Sequence, residues 1–304
     1  MKSFFENTWK HRAHVIMALP AFLVLLFFAY IPMGGLVMAF KSYDYTKGIW
    51  GSPWNGFENF KFLIASKSTF LSMTKNTLLY YVIFTGIGTT LNVVLAIAID
   101  QCIFKKCSKA MQTIMIVPVF ISYAAVQFIV YAFISTDTGI LNNLFGTHTR
   151  YYSTASFWPI ILTIVKMWNS VGYGSVLYMS VLSGIDSSLY EAAEIDGASK
   201  FQIFKSITFP QILLIMAPSL IQQFIGNINN FNVIYFLTGG GPKNSEYYQA
   251  GSTDLLVTWL YKLTVSAKDY NLASVIGILI FAISATFSLL AYTRSSSFKE
   301  GAAK

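Results

Sequence analysis

The stretch EAAEIDGASKFQIFKSITFP (residues 191–210) separates two apolar runs, each of which is long enough to cross a bilayer. Charged residues and good helix formers fill its first half, until Asp196-Gly197 interrupts them. Ser199 is of a residue type that caps helices, and Pro210 opens the next apolar run, where its missing N–H costs little. The pattern predicts a helix, a sharp turn and a second helix at the edge of a membrane.

The second of these helices carries one apolar stripe, because Phe201, Phe204 and Ile207 recur at helical spacing. A face of this kind can dock a partner protein. It can equally belong to an interfacial helix that only caps a helix bundle, and the periodicity alone does not choose between the two.

Further apolar runs of membrane-spanning length occur along all 304 residues, of which 55% are hydrophobic and 11% charged. Soluble domains carry about 25% charged residues. We therefore predict an all-α integral membrane protein with six transmembrane helices in a single domain, 1–304. The predicted spans are about 15–40, 72–100, 110–134, 157–182, 211–237 and 271–293. The first is expected to be a retained span rather than a signal peptide. Pro32, Pro118 and Pro218 are expected to kink or break their helices.

The distribution of basic residues predicts the orientation. The segments 1–14, 101–109, 183–210 and 294–304 hold eleven Lys and Arg residues in 62, whereas the segments on the opposite side hold eight in 86. The denser set is expected to be cytoplasmic, with both termini. Segment 1–14 suits an interfacial helix, and the net charge of +8 suits contact with the lipid membrane rather than with nucleic acid.

The sequence lacks the motifs that several classes of function require. No phosphate-binding loop is present, and the glycine-rich run TGGGPK (238–243) has the wrong spacing for one. Cys102 and Cys107 have no histidine nearby, so we expect no metal site. No paired carboxylates or nucleophile–base set lies within a span, which argues against an enzyme. No acidic residue lies inside a span, which argues against a proton- or sodium-coupled carrier.

Two polar stripes predict a substrate site. The polar residues of each stripe lie on one face of their helix. Polar side chains within a span normally face a bundle interior or a cavity. Interhelical hydrogen bonds are the alternative explanation for any single asparagine. Amides that bond hydroxyls, beside a ring that stacks on a sugar face, favour a carbohydrate site. The candidate substrate-binding residues are Lys166, Asn169, Ser170 and Tyr173 of the fourth span and Gln223, Asn227 and Asn230 of the fifth.

The stretch 191–210 resembles the EAA signature of the membrane subunits of bacterial ABC importers. That signature reads E-A-A, three residues, G, nine residues, I-x-L-P, and Phe209 replaces the leucine here. The resemblance implies a cytoplasmic coupling helix between spans four and five, in the loop 183–210, which docks on an ATPase subunit. The coupling residues it implies are Glu191, Ala192, Ala193, Asp196, Gly197, Ala198, Phe204, Ile207 and Pro210.

A second stretch, NNFNVIYFLTGGGP (229–242), is similar to the corresponding region of carbohydrate importers such as the permeases of maltose transporters. By that resemblance Tyr173, Asn227 and Asn230 match maltose-contacting positions in residue type. Lys166, Asn169 and Gln223 occupy further such positions with other residue types, which leaves the sugar open. Lys166 is expected to line the cavity, and sugar hydroxyls are favoured over an acidic sugar as its ligand.

The resemblance implies a type I ABC importer permease that translocates a sugar or oligosaccharide across the bacterial cell membrane. The implied partners are a second homologous permease subunit, two cytoplasmic ATPase subunits and an extracytoplasmic sugar-binding protein. We expect no cofactor in this chain, because ATP and Mg belong to the ATPase subunits. The alternatives are a permease for another solute, such as glycerol phosphate, and a membrane scaffold that binds an ATPase without transport.

Overall fold

A computed structural model describes residues 11–242 and 251–294. Within these ranges the regular secondary structure is helical, apart from one antiparallel bridge between Lys41 and Trp54. The principal helices are α1 (Arg12–Leu25), α2 (Lys67–Asp100), α3 (Lys105–Ile116), α4 (Tyr123–Ile134), α5 (Trp158–Leu182), α6 (Ser187–Ile195), α7 (Lys200–Ile203), α8 (Phe209–Ile228), α9 (Phe231–Thr238), α10 (Leu256–Tyr261) and α11 (Tyr270–Arg294). Shorter helices lie at Ile31–Met33, Gly48–Gly51, Lys61–Ala65 and Ile140–Phe145. The predicted all-α class is confirmed for the described residues.

Four helical segments are long and apolar enough to cross a membrane, and two bent helix pairs raise this number to six if each pair is one span. The four are Arg12–Phe40, Lys67–Asp100, Ala155–Leu182 and Tyr270–Thr293. Each overlaps a predicted span, and α2 begins five residues before the predicted position 72. The predicted interfacial segment 1–14 lies mostly outside the described residues, and its last three residues already belong to α1.

The predicted third span is not one straight helix. Lys105–Phe120 and Tyr123–Ile134 meet at a bend of 100°. Pro118 lies in a 3-10 turn just before the bend, where its missing N–H weakens the helical ladder. Ser122 then caps α4, since its side chain accepts a hydrogen bond from the backbone N–H of Ala125. The predicted break at Pro118 is therefore confirmed, and the span 110–134 stays a prediction that holds if the bent pair is one span.

The predicted fifth span also differs from the structure. The helix does not begin at Pro210 but runs on from α7 through a π-helical segment, Phe204–Thr208, into α8. Its axis bends by 60° between Leu213 and Pro218, as expected of a proline inside a helix. The helical register ends at Ile228, and α9 begins only at Phe231.

Helix α5 lies at the centre of the bundle and packs against α2, α3 and α8. Gly172 permits the close crossing with α3, because a Cβ atom there would overlap the backbone carbonyl of Met115. Buried apolar side chains fill the space between α2 and α5, among them Phe84, Leu162 and Val171. The polar residues of α2, α5 and α8 are thereby held on facing walls.

The segment that follows α9 is tied to α2. The side-chain amide of Asn76 donates to the carbonyls of Ser252 and Asp254, and the Thr77 hydroxyl accepts from the N–H of Leu256. The Asp254 carboxylate is fully buried and forms an ion pair with the Lys262 ammonium at 2.7 Å. The contacts from Asn76 and Thr77 hold the segment 252–256 against α2.

Gly240 has a φ of +90°, and a Cβ atom there would overlap the Asp254 carboxylate. The N–H of Gly251 and the hydroxyl of Thr258 also donate to this carboxylate. Part of the glycine-rich run at 238–242 therefore serves close packing around a buried acid.

Candidate functional site

A cavity of about 630 Å³ lies between α2, α5 and α8. Its volume falls within the range of about 300–1,000 Å³ that is typical of small-molecule sites. Amide, hydroxyl and amine groups share its wall with apolar side chains. The lining residues on which the argument depends are Asn92 of α2, Lys166, Ser170, Tyr173 and Gly174 of α5, and Gln222, Gln223 and Asn227 of α8.

Five of the seven residues predicted to contact substrate line this cavity. They are Lys166, Ser170, Tyr173, Gln223 and Asn227. The Tyr173 side chain is 63% exposed in the single chain, so its ring face is free. Lys166 has no acidic partner, because the ion pairs of the described residues all involve other lysines. The two predicted stripes therefore meet across one space.

Asn169 lies behind the cavity wall. Its side chain is 5% exposed, and its Nδ2 donates a hydrogen bond of 2.7 Å to the backbone carbonyl of Pro118. This bond joins α5 to the break that precedes α4. In this conformation the amide serves helix packing, and a substrate role for Asn169 stays a prediction.

Asn230 is also outside the cavity lining. It lies in the break between α8 and α9, is 8% exposed, and its Nδ2 has no hydrogen-bond partner among the described residues. The predicted face required an unbroken helix from Gln223 to Asn230. Because α8 ends at Ile228, the helical spacing does not carry Asn230 onto the face of Asn227.

No residue of α2 is among the predicted site residues, although Asn92 lines the cavity. Thr85, Thr89 and Asn92 are all at least nine-tenths buried. The Thr85 hydroxyl accepts from Asn227 Nδ2 at 3.0 Å, and the Thr89 hydroxyl donates to Gln223 Oε1 at 3.3 Å. Their spacing of i, i+4 and i+7 places all three on one helical face. The same pattern that indicates the stripes on α5 and α8 is therefore present in the sequence of α2.

The predicted coupling segment forms a helix, a turn and a second helix, 187–203. Gly197 has a φ of +73°, the left-handed conformation that favours glycine. Its N–H donates to the carbonyl of Glu194, and the N–H of Ala198 donates to that of Ala193. This pair of bonds is a Schellman motif, which ends α6 sharply. The sequence thus predicts both the turn and its glycine.

Both helices of this segment have side-chain caps. Asp186 accepts from the backbone N–H of Ser188, which holds the pKa of its carboxyl below the ordinary value. Ser199 and Gln202 form a reciprocal capping box at the start of α7, as the prediction of a cap at Ser199 requires. Local sequence therefore fixes where each helix begins.

Most of this helix–turn–helix is exposed in the single chain. Glu191, Ala192, Asp196 and Gly197 are exposed, and Ala193, Ala198, Phe204 and Ile207 are half-buried. Ile195 and Phe201, on either side of the turn, are 86% and 71% exposed. Pro210 is exposed and lies in the first turn of α8. Large apolar side chains beside a turn of this kind form a surface suited to a protein partner.

The segment is linked to the membrane helices. The hydroxyl groups of Tyr190 in α6 and Thr208, next to α8, lie 3.2 Å apart and form a hydrogen bond. Behind them is a second cavity of about 430 Å³, lined in part by Asp100, Glu194 and Lys200. A displacement of α6 would therefore reach the helix that carries Gln223 and Asn227.

The described residues contain no group of three or more His, Cys, Asp and Glu side chains that could hold a metal ion. Cys102 and Cys107 are free thiols.

Residues 93–297 match the protein family described as "Binding-protein-dependent transport system inner membrane component". The chain is 32% identical to the galactooligosaccharides transport system permease protein GanP of Bacillus subtilis (strain 168), over 93% of this chain and 70% of that protein. It is also 32% identical to the maltodextrin transport system permease protein MdxF of the same organism, over 93% of this chain and 69% of that protein.

The fold is similar to that of a chain in the crystal structure of a bacterial alginate ABC transporter in complex with an alginate pentasaccharide-bound periplasmic protein. The TM-score is 0.81 and the sequence identity 28%, over 95% of this chain and 96% of that chain.

Proposed function

The chain belongs to the family of inner membrane components of binding-protein-dependent transport systems, and we propose that it is the permease subunit of an ABC importer for a sugar or oligosaccharide. The observation that carries this proposal is the polar cavity between α2, α5 and α8. Relatives that transport galactooligosaccharides and maltodextrin, and a similar structure from an alginate importer, support carbohydrate as the substrate class.

The chemistry of the cavity suits a carbohydrate. Amide groups both donate and accept hydrogen bonds, as sugar hydroxyls do, and the Lys166 ammonium supplies donors only. The exposed ring of Tyr173 can stack on a sugar face. Neutral hydroxyl groups and ring oxygens satisfy this combination, so a neutral oligosaccharide is the proposed substrate. An anionic solute, such as an acidic oligosaccharide or glycerol phosphate, is the second candidate, favoured by the unpaired cation.

The helix–turn–helix 187–203 is the proposed coupling element, docking on a cytoplasmic ATPase subunit. This chain has no phosphate-binding loop, so it needs a rigid element through which the motion of an ATPase subunit that has one can be transmitted. The Schellman turn at Gly197 and the capping box at Ser199 supply rigidity, and Ile195 and Phe201 supply the apolar contact. Glu191 is exposed and available to pair with a basic group on the ATPase.

The proposed assembly contains a second homologous permease subunit, two ATPase subunits that bind ATP and Mg, and an external sugar-binding protein. The proposed location is the bacterial cell membrane, with both termini cytoplasmic. A second permease would complete the cavity, which is open in the single chain, and would cover the Arg12–Phe40 segment. In that segment only Ala39 is buried within this chain.

The decisive experiment uses the complete complex in proteoliposomes. ATP on the side of the ATPase subunits and sugar-loaded binding protein on the opposite side should together drive sugar transport and stimulate ATP hydrolysis. A non-hydrolysable ATP analogue should abolish transport. A scaffold would bind the ATPase and give no transport, and transport of only anionic solutes would favour the second candidate.

A further inference from the structure

Asn92 contributes an unsatisfied polar group to the cavity wall. It lies on the face of α2 that carries Thr85 and Thr89, and its side chain is 8% exposed. Unlike those two threonines, it has no partner on α8: its Oδ1 atom is buried and accepts no hydrogen bond from the described residues. Leaving such a group unsatisfied destabilises the folded state, so an apolar residue would serve packing better at this position.

Gly174 makes room for this amide. A Cβ atom at Gly174 would lie 2.5 Å from Asn92 Nδ2 and 2.7 Å from Oδ1. Gly174 has no positive φ that would require glycine, so the requirement comes from the close approach of the Asn92 side chain. Both residues line the cavity together with Lys166 and Ser170. The amide is therefore held between α2 and α5, next to the open space.

We propose that Asn92 is a substrate-contacting residue of the translocation cavity, whose amide bonds a sugar hydroxyl, and that Gly174 positions it. This inference rests on the proposed function of the cavity. An amide can accept from one hydroxyl and donate to another, so it distinguishes sugars by the position of these groups. Lys166, on the wall opposite α2, can only donate. Asn92 thus adds an amide to a cavity in which Lys166 can only donate, on a helix that the stripes of α5 and α8 do not include.

The alternative is that Asn92 serves only helix packing. A packing asparagine is expected to bond a partner across the interface, as Asn169 does with Pro118. Asn92 instead faces the Cα atom of a glycine. The two explanations differ in what its removal does, because loss of a packing residue weakens the complex for every substrate equally, whereas loss of a contact changes the ranking of substrates.

The test measures uptake by the complete complex in proteoliposomes, with maltotriose and galactotriose as probes at saturating binding protein. Asn92→Leu, which has similar volume and no hydrogen-bonding group, should lower uptake about ten-fold, the equivalent of one hydrogen bond. It should also change the ratio of the two uptake rates. Where Asn92→Leu fails to assemble, Asn92→Ala provides the same comparison, because it also removes the amide. An unchanged ratio of the two uptake rates, whether or not both rates fall, would overturn the inference alone, whereas a wild-type complex that takes up neither sugar would overturn the proposed function as well.

A double-mutant cycle tests the positioning by Gly174. Gly174→Ala should lower uptake in the presence of Asn92 and have no further effect in an Asn92→Ala background, because the added methyl group then has no amide to displace. Gly86→Ala is the matched control, since Gly86 lies on α2 with open space around it and should retain wild-type uptake. Additive losses in the cycle would overturn the pairing of Asn92 with Gly174.

Discussion

Asn169 donates a 2.7 Å hydrogen bond from Nδ2 to the backbone carbonyl of Pro118, and this bond links α5 to the sharp bend between α3 and α4. The Pro118 carbonyl also accepts the backbone N–H of Ile121, which closes the 3-10 turn before the bend. The amide of Asn169 is therefore a second donor to this carbonyl and comes from another helix. Asn227, on α8, also donates to another helix, at the Thr85 hydroxyl, but unlike Asn169 it lines the cavity as well.

We predict that Asn169→Leu and Asn227→Leu differ in their effect on uptake. Asn169→Leu removes an interhelical bond worth about 1 kcal/mol, so it should lower the thermal stability of the complex and leave the uptake rate per assembled complex unchanged. Asn227→Leu removes the bond to Thr85 and a cavity-lining amide, so it should lower both thermal stability and uptake. The measurements are thermal unfolding by size-exclusion and uptake in proteoliposomes, each normalised to assembled complex. Reduced uptake by a fully assembled Asn169→Leu complex would show that Asn169 belongs to the substrate site.

Much of the fold can be predicted because the signals are local. The length of the apolar runs predicts the spans, and Pro118 and Pro218 predict the bends. A proline shows where a helix is weakened, but the angle depends on what packs against it. The 100° bend before Tyr123 combines Pro118 with the cap at Ser122 and the bond from Asn169. Only the last of these is non-local, and it cannot be read from the sequence.

The candidate site likewise has features that local sequence predicts and features that depend on contacts between helices. The helical spacing correctly places Lys166, Ser170 and Tyr173 on one wall, because α5 is unbroken. It misplaces Asn230, because helical spacing cannot be continued across the break at the end of α8. Asn92 is absent from the prediction although Thr85, Thr89 and Asn92 repeat at helical spacing, because that spacing does not tell which of them has a partner on another helix. Its position is informative only beside Gly174, which lies on another helix.

Gly197→Val should uncouple ATP hydrolysis from transport. Gly197 has a φ of +73°, which a β-branched residue adopts only with strain, so the turn between α6 and α7 should reshape. Gly146→Val is the matched control, because Gly146 has a φ of +61° and, like Gly197, has no neighbour within 4 Å of the position that a Cβ atom would take. It lies after the short helix Ile140–Phe145, outside the coupling segment.

The measurement is sugar-stimulated ATP hydrolysis by the purified complex. Gly197→Val should lose the stimulation, while Gly146→Val should retain it at a similar cost in stability. Equal stimulation in both variants would contradict the coupling role of the turn.

The proposed topology predicts opposite labelling at two exposed serines. Ser153 and Ser187 are both exposed, and Ser→Cys is a conservative change at each position. In a background where Cys102 and Cys107 are replaced by serine, Ser153→Cys should react with a membrane-impermeant maleimide added to intact cells. Ser187→Cys should react only after the membrane is permeabilised. The reverse pattern would place the helix–turn–helix outside the cell and remove the proposed coupling site with it.

The ion pair of Asp254 and Lys262 should contribute strongly to stability. The Asp254 side chain is fully buried and that of Lys262 is 15% exposed, and removing one partner of a buried pair costs about 3–5 kcal/mol. Lys262→Met should therefore lower the thermal stability of the complex markedly. Lys61→Met is the control, because the pair of Lys61 with Glu58 is exposed and worth about 0–1 kcal/mol. Similar losses in both variants would show that Asp254 finds other partners.

The last prediction concerns Lys166. It lies eight residues after Trp158, the first residue of α5, a rise of about 12 Å, and hence near the middle of a hydrocarbon core about 30 Å thick. A lysine at that depth costs about 2.5–3.5 kcal/mol on insertion, and no acidic residue of the described chain forms an ion pair with it. Three groups could offset this cost: water in the cavity, the substrate, or a carboxylate on the second permease.

Lys166→Met separates these cases, because it keeps most of the length of the side chain and removes its charge. If Lys166 contacts substrate, the complex should assemble as well as wild type, and uptake should fall about ten-fold or more, as expected for loss of a hydrogen bond to a charged group. If a carboxylate of the second permease pairs with Lys166, the variant should instead lose assembly. Lys75→Met is the control, since Lys75 is exposed on α2 outside the cavity lining and should leave both quantities unchanged. Wild-type uptake and assembly in Lys166→Met would leave water as the group that solvates this lysine and remove it from the substrate site.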